Sequence, residues 1–227
     1  MVEQIQGERS PTSNEPSTTG SDSRRNWIDQ YGKAAAIGSG IVLLIVLILL
    51  AYIHQRQKND ERASQMLALA QSPKQWEELL TQYPSSSSAP IALLALASAQ
   101  YFSGSFDPAI TLYQRFLSTY AKHGMAASAE LGIAMCQEAK GNVEPALKSF
   151  SAFLTAHPDH YLTPQALFGK ARCLQTAKRY AEAKAIYEEY VAAHPEGEWT
   201  PQADMALTFL RRAMRADSAA APVPPSP

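Results

Sequence analysis

A spacing of 37 residues governs the C-terminal part of this chain. Gly104-Ser-Phe106-Asp-Pro-Ala109 aligns with Gly141-Asn-Val143-Glu-Pro-Ala146 and with Lys178-Arg-Tyr180-Ala-Glu-Ala183, each 37 residues after the last. Tyr113, Phe150 and Tyr187 then coincide, followed by Phe116, Phe153 and Tyr190. Upstream, Ala92, Ala129, Ala166 and Ala203 fall in one register, and Ala97, Ala134 and Ala171 in another. Pro90, Pro164 and Pro201 also match, with Ala127 in the odd unit. Read backwards, Tyr120 maps to Tyr83, Phe116 to Leu79 and Tyr113 to Trp76, so a partial unit precedes the first full one. A period of this size is the mark of a solenoid, in which each unit buries its apolar face only against its neighbours.

The residue types say what each unit is. Alanines at 109, 146 and 183 let two helices approach closely. The aromatic residue three or four places on lies on the same helix face and fills the space between hairpins. Gly104 and Gly141 suit the left-handed position that ends a helix, and Lys178 takes that place in the third unit. Thr163-Pro164 and Thr200-Pro201 read as an N-cap followed by proline at the first helical position. His157-Pro158 and His194-Pro195 close the second helix of their units. The spacing predicts helix pairs over 89–103/106–120, 125–139/143–156 and 163–176/179–193. Helices near 59–70 and 73–83 precede them, and one over 200–214 caps them. No segment alternates enough to suggest a strand. The expected fold is all-α, a solenoid of helical hairpins preceded by a single transmembrane helix.

The membrane element is Ala34 to Ile53, twenty residues without a charge. At ~1.5 Å per residue such a helix spans about 30 Å, the thickness of a bilayer core. Trp27, Tyr31 and Tyr52 stand near its ends, where aromatic rings favour the interface. His54-Gln-Arg56-Gln-Lys58 follows it and offers no small-residue cleavage site, so a retained anchor is expected and not a cleaved leader. Arg24, Arg25 and Lys33 on one side balance Arg56, Lys58 and Arg62 on the other. Orientation therefore rests on the short polar tail before the anchor, which places the N-terminus in the cytoplasm and the repeats across the membrane. Small residues at Ala34/Gly38 and Ala36/Gly40 have a spacing that lets spanning helices pack. The expected layout is a disordered Ser/Thr/Pro-rich tail over 1–33, the transmembrane helix over 34–53, and a helical linker with a partial repeat over 54–88. Three repeats and a capping helix occupy 89–214, and a disordered Ala/Pro-rich tail 215–227.

Charge and chemistry exclude more than they assign. Twenty basic and twenty-one acidic residues give a formal net charge of −1, without the basic excess of a nucleic-acid binder. Cys136 and Cys173 are also 37 apart, on equivalent turns of neighbouring units. Helices stacked ~10 Å apart cannot bring their Cα atoms within the ~7 Å a disulfide needs. Two buried free thiols are expected. His157 and His194 replace Tyr120 at the repeat-closing position and read as structural, and His160 has no zinc-type companion spacing. Glu77-Glu78 and Glu188-Glu189 are adjacent in sequence and point to different sides of a helix. No phosphate-binding, dinucleotide or nucleophile-elbow motif occurs. The expectation is no enzyme, no cofactor and no metal. What remains is the concave face, where Gln100, Gln137, Arg172 and Gln175 are expected to line a protein-binding groove.

The series Ala134, Gly141, Val143, Ala146, Phe150, Pro158 resembles the tetratricopeptide repeat. The period is 37 instead of the usual ~34, with the extra residues in loops 158–163 and 195–200. Phe116, Phe153 and Tyr190 stand where that family usually has a small residue. This longer form is similar to repeats of bacterial envelope proteins, including outer-membrane assembly lipoproteins and Tol–Pal-associated proteins. The layout of short tail, single anchor after Tyr31-Gly32-Lys33 and repeat domain resembles the ancillary Sec translocon subunit family. That resemblance implies a single-pass protein of the bacterial inner membrane with periplasmic repeats. Its implied partners are translocon subunits, membrane-anchored chaperones or envelope proteins. The alternative it leaves open is a structural organiser of envelope biogenesis, serving cell division, Tol–Pal or outer-membrane assembly.

Overall fold

The structure is a computed structural model that describes residues 19–220. The tail segments 1–18 and 221–227, expected to be disordered, lie outside the described residues. Among the described residues are nine α-helices and no strand. The chain divides into two units, residues 1–57 and 58–227.

The first unit is the leading part of α1 (Thr19–Leu69). This helix begins fifteen residues before Ala34, so the stretch 19–33, expected to be disordered, is helical. The reason is an absence of breakers. Pro16 is the last proline before the apolar run, and only Gly20 and Gly32 interrupt the segment between them. A helix already nucleated by a long apolar run gains one hydrogen bond for each further residue it fixes. Every side chain from Ile41 to Leu50 is exposed, at 43–62%. Among the described residues it is the one helix long and apolar enough to cross a membrane.

The second unit opens with the last turns of α1. There Ala63 is fully buried, and Met66 and Leu67 pack on the core. The helix expected near 59–70 is thus the end of α1 and not a separate element. After it come α2 (Pro73–Gln82), α3 (Ala89–Phe102), α4 (Phe106–Thr119) and α5 (Ala126–Ala139). The series continues with α6 (Val143–Ala156), α7 (Thr163–Thr176), α8 (Tyr180–Ala193) and α9 (Thr200–Ala220). Each helix from α2 packs on the next. Across hairpins, α3 meets α5 and α5 meets α7. The first helices of the hairpins therefore stack on one another and build one continuous face.

The aromatic residues of the period form the core. Phe116, Phe150 and Phe153 are at most 1% exposed, and Tyr113, Tyr187 and Tyr190 are buried beside them. Phe168 receives Tyr187, Tyr190 and Trp199 edge-on at centroid distances of 5.0, 5.2 and 5.3 Å. Such edge-to-face contact suits the ring quadrupole. Gly132 and Gly169, also 37 apart, make room for this layer. A Cβ on Gly132 would lie 2.5 Å from the Tyr113 ring, and one on Gly169 2.4 Å from the Phe150 ring.

The hairpin turns repeat one device. Gly104, Gly141 and Lys178 have φ of 80°, 76° and 59°. The next amide reaches back to close each helix: Ser105 N–H to Gln100 O at 2.9 Å, Asn142 to Gln137 at 3.0 Å, Arg179 to Leu174 at 2.8 Å. Lys178 does with a side chain what the two glycines do without one.

Two expectations about helix ends are corrected. Thr163 is the first residue of α7, and Leu162, whose side chain caps nothing, holds the N-cap place. The Thr163 hydroxyl instead donates to the carbonyl of His157 at 2.8 Å, and Thr200 donates likewise to His194 at 2.5 Å. The receiving carbonyls belong to the C-cap residues of α6 and α8, where a helix has no further amide of its own to offer, and the bond ties successive hairpins together. At the C-terminal end α9 runs to Ala220, so the start of the tail expected over 215–227 is helical. Ala216, Ala219 and Ala220 are strong helix formers, and the first breaker is Pro222.

Candidate protein-binding groove

The continuous face of α3, α5, α7 and α9 carries its side chains in rows set by the period. One row is Ser98, Met135, Arg172 and Phe209; the next is Tyr101, Glu138 and Gln175. All of these but Ser98 line an open pocket of about 620 Å³: Tyr101, Met135, Glu138, Arg172, Gln175 and Phe209. A smaller pocket of about 180 Å³ adjoins it between α3 and α5, and shares Tyr101 and Met135. Its walls and rim also include Phe102, Leu131, Leu162 and Gln165, with the hydroxyls of Ser98 and Ser128.

Arg172 and Glu138 face each other across neighbouring repeats. The guanidinium donates from Nε to Oε1 at 2.6 Å and from Nη2 to Oε2 at 2.9 Å. Burial alone would weaken proton binding by Arg172, but the hydrogen bond and charge of Glu138 outweigh it, and its pKa stands above the ordinary value. This two-pronged geometry fixes both side chains as well as neutralising them. Burial, then the charge of Glu138, pushes the Tyr101 phenol up, so it stays neutral.

Of the four residues expected in the groove, Arg172 and Gln175 line the larger pocket. Gln100 and Gln137 line neither pocket. The Gln137 side chain accepts a hydrogen bond from Asn142 Nδ2 at 2.8 Å and so supports the α5–α6 turn. Tyr101, Met135, Glu138 and Phe209 are groove residues that sequence reasoning passed over. The signal was present, since Met135 and Phe209 sit 37 residues either side of Arg172, and Glu138 sits 37 before Gln175.

Other reactive groups do not gather. Cys136 and Cys173 are buried and unbridged, and burial pushes each thiol up to about 11. At neutral pH both are thiols, not the thiolates that nucleophilic or ligating cysteines require. His157 donates from Nε2 to Glu130 Oε2 at 2.8 Å and lies against Phe153 and His160 at the end of α6. Among the described residues no three His, Cys, Asp or Glu side chains could hold a metal ion.

The family model of the tetratricopeptide repeat-like domain matches residues 25–212. The chain belongs to that family, and is a tetratricopeptide-type protein-binding scaffold. No curated protein matches the chain. Among solved structures it is similar to a Podosopora anserina protein of nearly identical TPR-like repeats, with 17% identity, 73% of this chain and 89% of that one covered, and a TM-score of 0.54. A tetratricopeptide repeat protein from Parabacteroides merdae has 16% identity, 70% and 61% coverage and a TM-score of 0.52. At these identities the likeness is one of fold.

Proposed function

We propose that the chain is a non-enzymatic scaffold held in a bacterial inner membrane by α1, with its N-terminus cytoplasmic and its repeats in the periplasm. There it serves as an ancillary subunit of the translocon and its chaperone network, holding protein segments in the groove of α3, α5, α7 and α9. One observation carries this reading. The family match starts at residue 25 and ends at 212, so the apolar run and the repeats belong to one module. An anchor inherited together with a binding domain points to a partner that is itself at the membrane. The absence of any enzyme-like motif and the protonated state of both buried thiols favour binding over chemistry.

Two experiments test the proposal. Reporters fused at the two ends of the chain should read cytoplasm at the N-terminus and periplasm at the C-terminus; the reverse result overturns the orientation. Crosslinking and pull-down from native membranes should enrich translocon subunits or membrane-anchored chaperones over a control carrying only residues 1–57. Enrichment of division or outer-membrane assembly proteins instead would make the chain an organiser of envelope biogenesis.

A further inference from the structure

Resting on that scaffold reading, we propose that the groove selects an uncharged, extended polypeptide segment that seats one large apolar side chain between α3 and α5. Charge is the first argument. Glu138 and Arg172 are the only charged side chains lining the two pockets, and each is bonded to the other through two hydrogen bonds. An acidic or basic guest would have to desolvate its own charge against a pair already closed. Separating that pair would forfeit two charge-assisted hydrogen bonds, a loss that the guest's own contact must first make good. A neutral guest meets no such barrier.

Shape is the second argument. A volume of about 180 Å³ is smaller than the ~300–1,000 Å³ of sites that take whole small molecules, and suits a single side chain. Its walls are mostly aromatic and aliphatic, from Tyr101, Phe102, Leu131, Met135 and Leu162, with the uncharged hydroxyls of Ser98 and Ser128 among them. Phe102 is 84% exposed and stands edge-on to Tyr101 at a centroid distance of 5.4 Å, so its ring is open to a guest on the other side. Phe209, 57% exposed, stands at the far wall of the larger pocket and offers a second apolar contact. Met135, shared by both pockets, adapts its unbranched chain to different guests. Gln165 at one end and Gln175 at the other carry amides that match peptide N–H and C=O groups without requiring charge.

The test uses the full chain in detergent micelles and a peptide array. Each array peptide has one fixed central residue and flanks drawn from Ser, Thr and Gly. Binding should concentrate on central Trp, Phe, Leu and Met. It should change less than about twofold as salt rises from ~0.1 M to ~1 M, where the screening length falls from ~10 to ~3 Å. Phe102→Ser should weaken binding about tenfold, the loss expected when an aromatic anchor is removed. Its exposure leaves helicity and melting temperature unchanged, which circular dichroism checks. Glu138→Gln releases Arg172 and should add central Asp and Glu to the peptides bound. Selection of charged centres by the unmodified chain overturns the proposal, as does a Phe102→Ser variant that binds like the original. A blank array overturns it too. If native-membrane crosslinking still captures partners over the anchor-only control, the scaffold reading survives that failure; if both are blank, both fall.

Discussion

Gly169 faces the ring of Phe150 so closely that one added methyl group has nowhere to go. The built Cβ would lie 2.4 Å from the ring, and Phe150 is fully buried, so neither partner can step aside. Gly169→Ala gains up to ~1 kcal/mol of helix propensity. Overpacking of a closed core costs ~1–3 kcal/mol and wins. The variant should therefore lower the urea midpoint, and pairing it with Phe150→Leu should cost less than the two changes summed, because the smaller side chain opens the space. Lys178 presents the opposite case. Its φ of 59° charges an L-residue ~1–2 kcal/mol, against the ~0.5–1 kcal/mol that a glycine adds to the entropy of the unfolded chain. Lys178→Gly should raise stability by about 0.5–1 kcal/mol in the same denaturation assay. The thiols give a pH prediction with a defined sign. Each folded-state value is raised from 9.0 to about 11 by burial, so the unfolded chain loses these protons first. Their contribution is fully present below pH 9 and is lost as pH rises towards about 11. A Cys136→Ser/Cys173→Ser variant should show a shallower fall in melting temperature across that window.

At the scale of the element, the hairpins were legible because every repeat solves the same packing problem with the same residue types. Alanine, aromatic and turn residue recur at 37, and the predicted boundaries of α3 to α8 fall within a residue or two of those observed. The ends of α1 and α9 were not legible. Polar composition suggested disorder, whereas helix continuation depends on where the next proline lies, at Pro16 and Pro222 flanking the two runs. The groove was half legible. A period states which residues are equivalent, but not how far each helix is rotated about its axis, so Gln100 and Gln137 were one position away from the lining residues Tyr101 and Glu138. The Thr-Pro pairs marked helix starts, yet their hydroxyls serve the preceding hairpin. Thr163→Val keeps the shape and removes the donor to His157 O, so it should cost about 1 kcal/mol, the usual net value of one such bond. Thermal melts would detect it, and an unchanged melt would mean that the hairpins are held in register by apolar packing alone.

For the molecule as a whole, a solenoid must close both ends of its core. At the C-terminal end α9 does so by substitution. Where α7 has the buried Ala171 and Leu174, α9 has the exposed Thr208 and Arg211, 37 residues on. At the other end the closing piece is the last stretch of α1. Ala63 is 0% exposed, Met66 and Leu67 rest on the core, and Asp60 accepts the Ser87 amide at 2.9 Å. The division of the chain at residue 58 assigns these residues to the repeats and not to the apolar run. A fragment of residues 58–220 should therefore be helical, soluble without detergent and cooperative in its melt. A fragment of residues 71–220 lacks that closing turn and uncovers the apolar residues beneath it. Burial of two or three such side chains amounts to ~2–4 kcal/mol, and ~2–4 °C is lost per kcal/mol in a domain of this size. The shorter fragment should melt about 5–15 °C lower. Equal melting temperatures would show that the solenoid begins at α2, and that the end of α1 is only a connection between anchor and repeats.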